Sequence, residues 1–239
     1  MQLKDKVVLV TGASRGIGKA IALAFAAEGS ALILSARQKD LLENVANEAR
    51  RHAVEVETLA GDLHEEAQVK NLIAAALKKF NRLDVLVNNA GLGYFKAVAD
   101  LTTAEWDEMF AVNLRAVFLA TREALPHLRR AGESFVVNVA SLAGKNTFAN
   151  GGGYTATKWG LRAFAQCLML EERKHGVHVV TICPGSVATG FGQGHERAPR
   201  AAQPDIIHPE EVAQCIISAV KMPPHVMVSE IDIRPANPG

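Results

Sequence analysis

Four apolar residues, Val7-Val-Leu-Val10, run through Thr11-Gly12-Ala-Ser14-Arg15-Gly16-Ile17-Gly18 directly into an alanine-rich stretch. A buried strand that turns on glycines into a helix is the first half of a βαβ unit, and it strongly limits the folds open to the chain. The pattern then repeats. Apolar strand-like runs read at roughly 7–11, 31–35, 54–59, 83–88, 134–140, 177–183 and 226–233. Helical patterns lie between them, near 17–28, 38–51, 65–80, 102–112, 113–131, 154–175 and 209–221. In 38–51, Leu41, Leu42, Val45, Ala46 and Ala49 form one stripe, opposite Lys39, Glu43, Asn47 and Arg50. Such alternation predicts an α/β fold of one doubly wound, Rossmann-like domain, with seven parallel strands, helices on both faces and right-handed crossovers. At 239 residues, nearly half of them apolar, the chain is expected to be one domain over 1–239.

In this architecture ligands bind beyond the carboxyl ends of the strands, where the strand order reverses. The chemically suggestive residues fall at those ends: Gly12, Arg37, Asp62, Asn89, Ser141 and Pro184 follow successive strands. Glycines in the first turn let a pyrophosphate approach the backbone, and the free N–H groups of the new helix face that anion. The spacing Gly-x-x-x-Gly-x-Gly is not a P-loop. Five residues, not four, separate Gly12 from the Gly18-Lys19 pair, and Ala20 stands where a magnesium-binding hydroxyl is needed.

Lys plus Arg (26) and Asp plus Glu (25) nearly cancel, which argues against nucleic acid or an acidic membrane as the main partner. No apolar run reaches spanning length and the opening residues lack a signal-peptide core, so a soluble, cytoplasmic protein is expected. Cys167, Cys183 and Cys215 are widely spaced in apolar surroundings and read as reduced core thiols. The histidines are scattered; His127, His175 and His178 read as surface residues, and no metal site is expected.

Tyr154 and Lys158 lie four apart, hence on one helix face, and Ser141 precedes the tyrosine by thirteen residues. A cation fixed beside a phenol favours the phenolate and brings proton transfer toward neutral pH. A serine at a neighbouring strand end is placed to polarise a carbonyl. Asn113 reads as the N-cap of the helix that follows it.

Together these residues resemble the short-chain dehydrogenase/reductase family over almost the whole chain. Gly12, Ser14, Arg15, Gly16, Ile17 and Gly18 are similar to its cofactor glycine motif, and Asp62 and Leu63 to the pair flanking the adenine. Asn89, Ala90 and Gly91 resemble its strand-four motif, and Pro184, Gly185, Val187 and Thr189 its nicotinamide-side segment. Asn113, Ser141, Tyr154 and Lys158 match its catalytic tetrad. The resemblance implies that Tyr154 is the general acid in ketone reduction and the base in alcohol oxidation. By the same resemblance Lys158 lowers its pKa and holds the nicotinamide ribose. Ser141 would orient the substrate oxygen, and Asn113 would kink its helix and hold a relay water. Hydride transfer belongs to the cofactor.

The second strand ends Ser35-Ala36-Arg37, without the acid that would bind a ribose 2′-hydroxyl. Arg37, with Arg15 as a second cation, suits a 2′-phosphate and so NADP(H) over NAD(H). Leu92, Gly93, Tyr94, Phe95, Leu142, Ala143 and Asn150 are expected to line an apolar substrate pocket, along with a Gly/Pro-rich loop at 189–207. In that loop His195, Arg197 and Arg200 are candidate contacts to an anionic substrate. Members of the family pair the helices at 113–131 and 154–175 between subunits, which implies a homodimer or homotetramer. The C-terminal Val228-Ser-Glu-Ile-Asp-Ile-Arg234 departs from the commonest bacterial ketoacyl reductase pattern. The leading expectation is an NADP(H)-dependent reductase of a carbonyl, of ketone or 3-oxoacyl type. The alternative is an NADP(H)-sensing regulatory protein without turnover, which commonly loses the tyrosine or lysine retained here.

Overall fold

The computed structural model describes residues 1–192 and 206–237. Seven parallel strands form one sheet in the order β3-β2-β1-β4-β5-β6-β7. They are β1 (Val7–Thr11), β2 (Ala31–Ala36), β3 (Val56–Ala60), β4 (Val85–Asn88), β5 (Ser134–Val139), β6 (Val177–Pro184) and β7 (Glu230–Ile233). The helices are α1 (Gly16–Ala27), α2 (Lys39–Arg50), α3 (Glu66–Phe80), α4 (Thr103–Phe110), α5 (Ala116–Ala131), α6 (Gly152–Glu172) and α7 (Pro209–Val220). Among the described residues none of them is long and apolar enough to cross a membrane.

The strands are apolar at consecutive positions because both faces of the sheet are covered. Val8 and Val10 of β1 join the core beneath α1, α2 and α7, while Val7 and Leu9 join the one beneath α3, α5 and α6. The chain winds outward through β2 and β3, then returns to β4 beside β1, so the order reverses between β1 and β4. At the amino ends of these two strands the buried Asp84 carboxylate accepts from Val7 N (2.9 Å) and pairs with Arg82 and Lys6. At their carboxyl ends Thr11 and Asn89 stitch them together. The Asn89 and Ala90 amides donate to Thr11 Oγ1 (3.0 and 3.1 Å), and Asn89 Nδ2 donates to the Thr11 and Gly12 carbonyls.

Several details depart from the sequence reading. α2 buries Leu42, Val45, Ala46 and Ala49 but leaves Leu41 exposed at the edge of the stripe. His178 is not a surface residue: it lies in β6, buried against the Phe135 ring. Cys183 is buried, but Cys167 faces outward from α6 and is no core thiol. The helices expected at 102–112 and 113–131 are one helical run, joined by a π-helical turn over Ala111–Arg115 in which Ala116 N donates to Ala111 O. Asn113 is therefore not an N-cap. Of the loop expected at 189–207, residues 193–205, and with them His195, Arg197 and Arg200, lie outside the described residues.

Candidate active site

The fold brings the expected residues to the carboxyl edge of the sheet around the β1–β4 reversal. Gly12 takes φ +65°, which favours glycine, and a Cβ there would lie 2.8 Å from Ala90 Cα. A Cβ on Gly18 would collide with the Gly12 carbonyl oxygen and Asn89 Nδ2. α1 begins after Arg15 with no side-chain cap and no acid in its first turn. Its N–H groups and positive dipole end are thus left for an anion, and the backbone cradle beside them fits a dinucleotide pyrophosphate. Ser14, Gly16 and Ile17 are half-buried in the same turn, and a Cβ on Gly16 would lie 3.1 Å from Thr189, which brings the segment after β6 against it.

Around this turn the other expected positions take their places. Pro184 ends β6, and Gly185 N donates to Ile233 O (2.9 Å), tying that segment to β7. Val187 bridges to Ile207. Asp62 and Leu63 follow β3; the Asp62 carboxylate accepts from His64 N (3.0 Å), and Leu63 is buried. Arg15 and Arg37 are both exposed, and Arg37 Nη1 stands 3.9 Å from Glu108 Oε1. Glu108 also accepts from the Tyr94 hydroxyl (2.6 Å), which holds the phenol pKa above its usual range.

Tyr154 and Lys158 sit on the buried face of α6, one turn apart. Lys158 Nζ donates to the Val139 carbonyl (2.9 Å) at the end of β5 and lies 5.7 Å from the centre of the Tyr154 ring. Ser141, two residues beyond β5, caps the 3₁₀ turn Leu142–Gly144 by accepting from Ala143 N (3.1 Å). Burial pushes Tyr154 up to about 12, and the Ser141 hydroxyl draws it back through a side-chain hydrogen bond. Burial likewise pulls Lys158 down to about 8. The expectation that the lysine lowers the phenol pKa is not met in this structure. Its ammonium is hydrogen-bonded to backbone and stands off the ring, so desolvation dominates.

Asn113 is fully buried in the π turn and makes three hydrogen bonds. Its Oδ1 accepts from Leu92 N (2.9 Å), and its Nδ2 donates to Leu92 O (2.8 Å) and Thr157 Oγ1 (3.0 Å). Thr157 in turn donates to Tyr154 O (2.8 Å). The extra residue of the π turn aims this side chain inward, a device frequent at functional sites. A Cβ on Gly91 would lie 3.3 Å from Asn113 Oδ1 and 3.7 Å from Lys158 Nζ, so these groups share one corner. Sequence reasoning missed Thr157 and Glu108. Thr157 lies within Tyr154-Thr-Ala-Thr-Lys158, but its partner is 44 residues away. Cys183, Glu230 and Asp232 also converge, within 4.8 Å, but both acids already pair with Lys145, and Glu230 with Arg162 as well.

Known proteins resemble this chain over nearly its whole length. An uncharacterised oxidoreductase of Staphylococcus aureus is 34% identical over 233 residues, covering 98% of each chain. The alcohol dehydrogenase of the archaeon Thermococcus sibiricus, solved with 5-hydroxy-NADP, superposes with a TM-score of 0.90 at 36% identity, over 98% of this chain and 97% of that one. The 3-ketoacyl-(acyl-carrier-protein) reductase of Brucella melitensis, solved with NADH, gives 0.88 at 30% identity over 98% of both. The family model for short chain dehydrogenases matches residues 6–199, and the chain belongs to that family of oxidoreductases.

Proposed function

We propose that this protein reduces a carbonyl compound, of ketone or 3-oxoacyl type, to the alcohol with NADP(H). The observation that supports this best is the placing of Ser141, Tyr154 and Lys158 at the same sheet edge as the uncapped start of α1. The bound nicotinamide supplies the hydride. Gly12, Ser14, Gly16, Ile17 and Gly18 would cradle the pyrophosphate, Asp62, Leu63, Asn89, Ala90 and Gly91 the adenosine side, and Pro184, Gly185, Val187 and Thr189 the nicotinamide side. Arg15 and Arg37 are exposed cations placed to meet a 2′-phosphate, Arg37 exchanging its loose pairing with Glu108 for it, and β2 ends without the acid that would bind a ribose 2′-hydroxyl. The neighbours are solved with 5-hydroxy-NADP and with NADH, so the preference here is argued from these two residues.

Ser141 Oγ holds and polarises the substrate oxygen. Tyr154 donates its phenolic proton to that oxygen as charge develops there. A phenol near 12 is fully protonated at neutral pH, which is the form that reduction requires. Lys158, cationic below about 8, offers its ammonium to the ribose. Asn113 fixes the Leu92 backbone and, through Thr157, the turn of α6 that carries Tyr154.

An assembly of two or four copies fits the exposed Phe118 on α5 and Trp159 and Leu170 on α6. Sedimentation velocity showing only monomer would refute the assembly. The functional test is loss of reduced-nicotinamide absorbance with ketones, diketones, aldehydes and acetoacyl thioesters, NADPH and NADH in parallel. Turnover with NADPH is expected. Tight NADPH binding with no turnover on any carbonyl would favour the sensing alternative.

A further inference from the structure

Beside Tyr154 the described residues place three phenylalanines from three separate loops. Phe95 follows β4, Phe148 precedes α6, and Phe191 follows β6. Each ring stays 39 to 49% exposed although it belongs to a packed series. Phe95 meets Tyr154 edge-on with centroids 5.4 Å apart, Phe191 meets Tyr154 tilted at 5.6 Å, and Phe148 extends the row from Phe95 at 6.0 Å. These separations are those of favourable aromatic pairs, so the wall is ordered before any ligand arrives.

The backbone is shaped to seat the rings. A Cβ on Gly93 would lie 2.9 Å from Phe95 Cζ and 3.1 Å from Tyr154 Cδ2. One on Gly151 would lie 2.5 Å from the Phe148 ring, and one on Gly192 would run into Phe95. Three glycines in three loops thus let Phe95 and Phe148 lie against main chain near the candidate proton donor.

Charge is missing from the described part of this wall. Among the described residues no Lys or Arg stands over any of the three rings; the cation–ring contacts involve Phe80, Phe118, Tyr154 and Trp159. Two lysines carried by the flanking loops are already paired, Lys96 with Glu105 and Lys145 with Glu230 and Asp232. Among the described residues, a substrate anion lying on the rings would lose water without gaining a partner.

We infer that Phe95, Phe148 and Phe191 form a specificity wall for an uncharged carbonyl compound bearing a flat aromatic or alicyclic ring, seated so that its carbonyl reaches Tyr154. The inference rests on the carbonyl-reductase reading and narrows its substrate class.

The test compares 4-phenyl-2-butanone, the same ketone with a para-carboxylate, and 2-butanone, each with NADPH. The wild type is expected to show kcat/KM about tenfold or more higher for the phenyl ketone than for either other ketone. Phe148→Ala and Phe191→Ala should each reduce the phenyl ketone to 2-butanone ratio about tenfold, mainly through KM, and Phe191→Leu by less. A preference for the carboxylate, or variants that lower both ketones equally, would overturn the inference while leaving the reductase reading intact. Should no ketone turn over, the reductase reading falls, and calorimetric titration of the NADP⁺ complex still reads the wall. Phenyl ketone binding about tenfold tighter than its carboxylate supports it, and equal affinities refute it.

Discussion

Replacing Asn113 with leucine tests whether the π turn is pinned as described. The two side chains share the same branched arrangement of heavy atoms, so the change removes hydrogen bonds without opening a cavity. Asn113 is fully buried and serves Leu92 N, Leu92 O and Thr157 Oγ1 at 2.8 to 3.0 Å. Thr157 keeps its bond to Tyr154 O, so its loss is one accepted neutral hydrogen bond, about 1 kcal/mol. Leu92 loses both backbone partners, and being half-buried it regains part of that from water, so about 1 kcal/mol each is a fair figure. The sum is about 3 kcal/mol, or roughly 6–12 °C in Tm for a chain of this size. Urea unfolding at fixed protein concentration, followed by near-ultraviolet circular dichroism, measures it directly. A loss below about 1 kcal/mol would refute the reasoning, since it would mean that Asn113 is not the partner of Leu92 in solution.

Lys158 should leave a signature in the pH dependence of stability. Its folded pKa is lowered to about 8 from the ordinary 10.5, so between those values the unfolded chain binds more protons. The buried charge costs stability in full below about 8, and the cost fades as pH rises toward 10.5. From pH 7.5 to 9.5 the apoprotein should gain about 2 kcal/mol relative to Lys158→Met; an unchanged difference would show an unshifted lysine. Gly18→Ala drives a methyl into the Gly12 carbonyl and Asn89 Nδ2. A stability loss of about 1–3 kcal/mol is expected, together with at least about tenfold weaker NADPH binding by fluorescence titration, and wild-type affinity would contradict it. Arg37→Ala should weaken NADPH about 10- to 30-fold and NADH less than about twofold, and equal losses would remove the 2′-phosphate assignment.

The fold was legible because each buried strand announces itself in consecutive apolar residues, as in Val7-Val-Leu-Val10, and each covering helix in a stripe such as Leu42, Val45, Ala46 and Ala49. The candidate site was legible because a doubly wound sheet collects its strand ends at one edge, and Gly12, Asn89, Ser141 and Pro184 mark them. What stayed hidden depends on partners distant in sequence. Asn113 looks like a cap because asparagine favours caps, yet Leu92 and Thr157 hold it inside a π turn. His178 is buried because Phe135 lies beside it on the next strand. Phe148 carries no periodic signal, and its position depends on the room that Gly151 leaves. The pKa values of Tyr154 and Lys158 follow from burial, which spacing alone does not disclose.

The central claim is that Tyr154 supplies the proton for carbonyl reduction, and Tyr154→Phe tests it most directly. Phenylalanine keeps the ring against Phe95 and Phe191 and removes only the hydroxyl. With the best ketone of the panel, NADPH oxidation should fall by about 10²–10⁴-fold while NADPH affinity stays within about twofold. A variant that binds NADPH normally and retains turnover within about tenfold of the wild type would contradict the account.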